Sequence, residues 1–247
     1  MRENVRRAMA PTREEIAALE IGSNAAAARE LLAGQGGGVL DIGCGEGKFT
    51  RSLAREFAEV AGVDVKEKQI GAAKAAAASE GVAVDFRVAS GEALPWPDGH
   101  FDVVAFSNSL HHMPDAARAL KEAARVMKPG GLLYAMEPVP AGNYHDATVL
   151  VNDETEVRTL AYAAIEALGA AGFSPLSEKM WRSTRDFADF EEWREDQIDR
   201  DVKRKALFDL RPAEARRRFE ANADTSGGRL AFTQVFRVNL LRKNAAI

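Results

Sequence analysis

The chain switches repeatedly between two hydrophobic periods. VLDI (Val39 to Ile42) is a short, mainly apolar run of the kind that forms a buried strand. GKFTRSLAREFA then places Phe49, Leu53 and Phe57 at helical spacing. EVAGVDV reads as a second strand, and the Ala-rich stretch from Lys66 to Ser79 as a helix. VAVDFRVA is a third strand and FDVVAFS (Phe101 to Ser107) a fourth. Ala116 to Met127 predicts a helix stopped by Lys128-Pro129-Gly130-Gly131, and LLYAMEP a fifth strand. Strands alternating with helices of this length need crossovers, which implies a parallel sheet with helices on both faces.

The flanks follow a different beat. Residues from Glu3 to Leu32 read as helix, broken at Pro11-Thr12, with Thr12 as N-cap and Glu15 in the capping-box position. Gly34-Gln-Gly-Gly-Gly38 forms a flexible joint. After Pro138, Glu154 to Ala171 predicts a helix and SEKMWRS a short strand. Thr184 to Ala221 reads as helical, dense in charge of both signs, with a Phe/Trp stripe facing inward. RLAFTQVFRVNLLRK predicts a long last strand. The pattern divides the chain into an N-terminal helical cap (1–38) and a main domain (39–247) with a helical insert at about 184–221.

Composition narrows the class. A chain of 247 residues with 46% apolar residues supports a full core. The net charge of −4 carries no global basic footprint, and the local Arg216-Arg217-Arg218 cluster has acids around it, which argues against nucleic acid. The single cysteine, Cys44, excludes an internal disulfide framework. No run is long and apolar enough for a bilayer, and the N-terminal stretch lacks the apolar core of a secretory signal. A cytoplasmic protein is expected.

The chemistry concentrates in DIGCGEGK, Asp41 to Lys48. A phosphate-binding P-loop requires Ser or Thr after Gly-Lys, and Phe49 stands there. It also requires an earlier Gly where Ile42 stands. A dinucleotide fingerprint requires Gly or Ala at a third site that here is Lys48, whose side chain obstructs close helix–strand packing. An oxidoreductase using NAD is disfavoured on that ground.

The surviving pattern, Asp41-x-Gly43-x-Gly45-x-Gly47, resembles the first motif of class I S-adenosylmethionine-dependent methyltransferases. The resemblance extends over Val39 to Pro138: Asp64 ends AGVDV, GEALPWPDGHFDVV leads into the fourth strand, and SLHHMPD and RVMKPGGLLY follow. It is closest to the branch with the ubiquinone/menaquinone C-methyltransferases. It implies an α/β, Rossmann-like, doubly wound and mostly parallel seven-stranded sheet, its last strand antiparallel, with helical cap additions. It also implies S-adenosyl-L-methionine as cofactor and a small-molecule acceptor. Asp64 would take the ribose hydroxyls and Asp41 or the nearby loop carbonyls the methionyl ammonium, with Gly43, Cys44, Gly45 and Gly47 lining the methionyl chain. Val65 and Leu94 would flank the adenine. Ser90, Gly91 and Glu92 would lie near its amino group, although the family often has an acid where Ser90 stands; Ser107 would close the site.

His111 and His112 leave the fourth strand where such sheets open toward ligands, and imidazole serves as a general base near neutral pH. His112 is weakly preferred as that base; the bland alternative is a helix entry with one ring packed under the cofactor. Two adjacent histidines with Asp115 do not make a metal site. Cys44 has no sequence-placed base to activate it and reads as loop filler. Trp181, Arg182 and Arg185 are candidates for an anionic substrate, with packing and solvated charge as the commoner roles. Tyr144, His145, Arg158 and Trp181 are candidates to line an acceptor pocket beneath the cap, a surface that would serve a homodimer equally well. Other readings are a methyltransferase acting on tRNA or protein, and a non-catalytic S-adenosylmethionine-binding protein. Ser107-Asn108-Ser109-Leu110 stands where amino-methylating nucleic-acid enzymes carry Asn/Asp-Pro-Pro-Tyr.

Overall fold

The computed structural model describes residues 11–245. The part of the predicted N-terminal helix before Pro11 lies outside them. Seven strands form one sheet in the order β3-β2-β1-β4-β5-β7-β6. They are β1 (Gly38–Ile42), β2 (Glu59–Asp64), β3 (Asp85–Val88), β4 (Phe101–Ser107), β5 (Met127–Val139), β6 (Phe173–Phe187) and β7 (Leu230–Lys243). The β3-β2-β1-β4-β5 portion is parallel throughout. Strand order reverses direction between β1 and β4, so a crevice opens at their C-terminal ends.

By their contacts the residues divide into two compact units, 23–137 with 160–179 and 237–245, and 11–22 with 138–159 and 180–236. The first is the sheet unit. All five residues of β1 are buried, as a strand covered on both faces requires. Its core joins Leu40, Ile42, Val104, Phe106 and Leu133 to Leu120 and Ala123 of a helix at Ala116–Val126. The helix Asn24–Leu31 belongs to this unit. Its Asn24 donates from Nδ2 to the Ser107 hydroxyl at 2.7 Å and accepts from the Tyr134 hydroxyl at 2.6 Å, and Ala28 and Leu32 are buried.

The second unit is mainly helical and packs on aromatic rings. Phe190, Trp193, Phe208 and Phe219 meet at centroid separations of 5.1–6.2 Å. The Phe/Trp stripe thus faces inward as the pattern predicts. The run from Thr184 to Ala221 is not one helix, however. β6 continues to Phe187, and helices follow at Phe190–Arg200, Arg204–Leu210 and Pro212–Asn222. Asp189 caps the first of them by accepting from the Glu191 and Glu192 amides. Mixed charge hid both the strand end and the breaks, because it offers no apolar period to interrupt.

Candidate active site

The sheet unit gathers most of the predicted residues at the C-terminal ends of β1, β2 and β4. The glycine loop after β1 is tied down by the Val63 carbonyl, which accepts from both Gly43 and Cys44 amides at 2.8 and 2.9 Å. Gly43 has φ +73°, and a Cβ there would lie 2.6 Å from Ser109 Cβ. Gly47 has φ +71°, and a Cβ would meet the Phe86 ring at 2.5 Å. Both positions therefore exclude side chains on two counts. Gly45 borders open space.

Two carboxylates frame this loop. Asp64, at the end of β2, accepts from the Gly45 amide at 3.0 Å through one oxygen and from the Lys66 amide at 2.9 Å through the other. Asp41 is 1% exposed. Its Oδ2 accepts from the Thr50 hydroxyl at 2.6 Å, and its Oδ1 has no donor among the described residues. Burial pushes the Asp41 carboxyl up to about 7, Thr50 opposes the rise, and Asp64 adds to it. Cys44 sits beside this pair; burial, then Asp41 and Asp64, push its thiol well above the usual range, so it is no nucleophile.

Val65, just after Asp64, is 63% exposed, a large apolar side chain left uncovered at the crevice. On the other side of the crevice, Ser90 accepts from the Glu92 amide at 3.1 Å. Glu92 in turn accepts from the Asp115 amide at 2.7 Å and so anchors the entry to the Ala116–Val126 helix. Gly91 lies against Ile42 and Met113, where a Cβ would fall 2.7 Å from Ile42 Cγ2.

Beyond β4 the backbone strains. Asn108 is the one non-glycine residue among those described with a positive φ, at 59°. The turn aims the next three residues at one buried carboxylate. Glu137, near the end of β5, accepts from the amides of Ser109 (3.1 Å) and Leu110 (2.7 Å) through Oε1. Its Oε2 is in direct hydrogen-bond contact with His111 Nδ1. That contact fixes the tautomer: with the Nδ1 proton directed at the carboxylate, His111 Nε2 carries the basic lone pair. His111 is buried, and the exposed His112 ring packs over it at 3.9 Å between centroids.

Sequence reading missed Glu137, Thr50, Ser109, Tyr134 and Asn24. The available signal for Glu137 was an acid closing the apolar run LLYAM. The remaining candidates fall in the helical unit. Trp181 stacks on Phe236 at 5.8 Å and presses on Gly22, and Arg182 donates to the Leu19 carbonyl at 2.9 Å. Trp181 thus packs, and Arg182 ties down the main chain at Leu19. Arg185 donates to the Tyr144 hydroxyl at 3.1 Å and to Asp196 at 2.8 Å. Burial holds the His145 imidazole below its ordinary value, with Arg158 adding to the effect.

The residues present fit S-adenosylmethionine. An orphaned buried carboxylate oxygen on Asp41 suits an ammonium, a loop closed to side chains suits a close-lying chain, and exposed Val65 beside Asp64 suits an adenosine. Comparison with known proteins agrees. Residues 40–135 match the family described as methyltransferase domain. A ubiquinone biosynthesis O-methyltransferase of Rhizobium etli is 32% identical over 170 residues, covering 60% of this chain and 68% of that protein. The 27-O-demethylrifamycin SV methyltransferase of Amycolatopsis mediterranei is 41% identical over 116 residues, 44% of this chain and 43% of that one. Among solved structures, the BH2331 protein of Bacillus halodurans C-125 has the same fold, with a TM-score of 0.67 at 23% identity, covering 91% of this chain and all of that one. No described helix is long and apolar enough to cross a membrane. The chain therefore belongs to the class I S-adenosylmethionine-dependent methyltransferases, in their ubiquinone-methyltransferase-like branch.

Proposed function

We propose that this methyltransferase acts on a hydroxyl group of a small molecule, with His111 as the general base. The observation that carries this reading is the His111–Glu137 pair. A methyltransferase needs a base only when its acceptor must lose a proton, and a neutral hydroxyl is such an acceptor. The names of the two curated relatives, which act on a ubiquinone precursor and on a demethylrifamycin, support the choice of a small acceptor.

The cofactor supplies the reactivity, a methyl group on a sulfonium centre open to in-line displacement. The chain's own residues bind, orient and move one proton. Asp41 and Asp64 would hold the two ends of the cofactor, the ammonium and the ribose diol. Val65 and Leu94 would flank the adenine, and Ser90, Gly91, Glu92 and Ser107 would complete the rim. His111 Nε2 would take the proton that the acceptor's hydroxyl must lose. Glu137 steadies the resulting imidazolium through Nδ1, and its two backbone donors hold the carboxylate in place. Because the His111 side chain is only 1% exposed, the proton transfer runs shielded from water, and the acceptor reaches the ring only when the surrounding structure opens.

The test uses catechol as probe acceptor and S-adenosylhomocysteine release as readout. His111→Gln is expected to lower kcat by roughly 10²- to 10⁴-fold, the usual worth of a positioned base. Calorimetric affinity for S-adenosylhomocysteine should be retained. A variant that turns catechol over at the parent rate removes His111 from the chemistry.

A further inference from the structure

One face of the sheet carries a chain of hydrogen bonds that ends at the crevice. Asp41, Ala105 and Tyr134 stand in register across β1, β4 and β5, so their side chains share a face. Ser107 lies two residues beyond Ala105, at the end of β4, and takes the same face. The helix Lys48–Leu53 covers it: Thr50 donates to Asp41, and Phe49 stacks on Tyr134 with centroids 5.8 Å apart. All of these residues, and Asn24 with them, belong to the sheet unit.

The direction of each proton in the chain follows from Tyr134. Its side chain is buried, and burial pushes the phenol well above its ordinary range, so it keeps its proton and needs an acceptor. Two are within reach: Asn24 Oδ1 at 2.6 Å, and the Asn24 main-chain carbonyl at a stretched 3.4 Å. The short contact commits Oδ1 to accepting, which turns the amide nitrogen of Asn24 toward Ser107. That nitrogen donates to Ser107 Oγ at 2.7 Å. An amide nitrogen only donates, so the Ser107 hydroxyl accepts there. Its own proton finds no acceptor among the described residues. The result is a half-buried hydroxyl at the crevice, fixed on one side and left with a proton to give.

Asp41, on the same face, has the orphaned carboxylate oxygen that suits the cofactor's ammonium. The carbon that bears that ammonium also bears a carboxylate. A donor held beside Asp41 suits that group, and a hydrogen bond to an ionised acceptor is among the strong ones. We propose that Tyr134 and Asn24 are positioning residues that hold the Ser107 hydroxyl as a proton donor to the cofactor's carboxylate. This rests on the S-adenosylmethionine assignment and is independent of the role of His111.

Calorimetry on the full chain compares S-adenosylhomocysteine with its decarboxylated analogue, which keeps the ammonium and lacks the carboxylate. The parent should bind the first about tenfold or more tightly than the second, the worth of one charge-assisted hydrogen bond. Ser107→Ala should abolish this preference and leave the affinity for the analogue unchanged; a preference that survives overturns the contact. Asn24→Asp should abolish it too, because an ionised carboxylate only accepts and captures the Ser107 proton. In a Ser107→Ala background there is no proton to capture, so Asn24→Asp should change the preference less than it does in the parent. An equal change in both backgrounds is a simple charge effect and overturns the positioning role of Asn24. Tyr134→Phe frees the amide to turn and should reduce the preference by a smaller factor. Should Asn24→Asp fail to fold, Tyr134→Phe decides the positioning role by itself, and a preference unchanged from the parent overturns it. If the parent binds both ligands equally, the cofactor assignment stands and the carboxylate contact is refuted. If it binds neither, the cofactor assignment fails and the proposal falls with it.

Discussion

The two units satisfy their buried polar groups in opposite ways. In the sheet unit two acids look largely to the main chain, Asp64 to Gly45 and Lys66 and Glu137 to Ser109 and Leu110, while Asp41 looks to Thr50. In the helical unit side chains look to one another: Tyr144 to Arg185 and Gln197, Gln197 to Arg204, Arg185 to Asp196. Main-chain donors are fixed by the fold and cannot turn away when a partner is lost. Side-chain donors can swing toward water or a new acceptor. The first arrangement suits a site that must hold one geometry, and the second a surface that adapts to what it binds.

The largest effect should follow at Glu137. Glu137→Leu leaves two buried amides and the His111 donor with no acceptor, at about 1–3 kcal/mol for each, against a total stability of roughly 5–15 kcal/mol. Urea denaturation should show a loss of about 3–9 kcal/mol in unfolding free energy. Gln197→Met is the matched change in the helical unit. There Tyr144 keeps Arg185 and the arginines can reorient, so the expected loss is about 1–3 kcal/mol in total. If Gln197→Met were as damaging as Glu137→Leu, the proposed difference between fixed and adaptable partners would collapse.

The smallest effect concerns pH. Burial raises the Asp41 carboxyl from 3.8 to about 7, so between pH 4 and 7 the folded chain binds more protons than the unfolded one. Stability from this group is therefore greatest below pH 4 and is lost as pH rises through 7. A cofactor amino group needs the ionised form. S-adenosylhomocysteine affinity should then rise about tenfold between pH 6 and 8, and Asp41→Asn should flatten the rise. A flat profile in the parent protein would detach Asp41 from the cofactor.

How far the sequence could be read follows the same division. Continuous apolar strands and a glycine loop are local patterns, so β1, β2 and β4 and the positions of Asp41 and Asp64 were legible. Glu137 was not, because its partners lie 26–28 residues earlier and an acid closing a strand is a common exit signal. The preference for His112 over His111 had no basis in spacing, since adjacent residues differ only in which one meets the carboxylate. Arg185 was singled out with Trp181 and Arg182, but strand alternation and distant contacts, not composition, separate the residue in the polar cluster from the other two.

The residue after Glu137 is Pro138, and the boundary between the two units falls between them. A proline confines its predecessor to extended backbone, and its own ring fixes φ. The carboxylate that orders His111 is thus held by covalent geometry as well as by its donors.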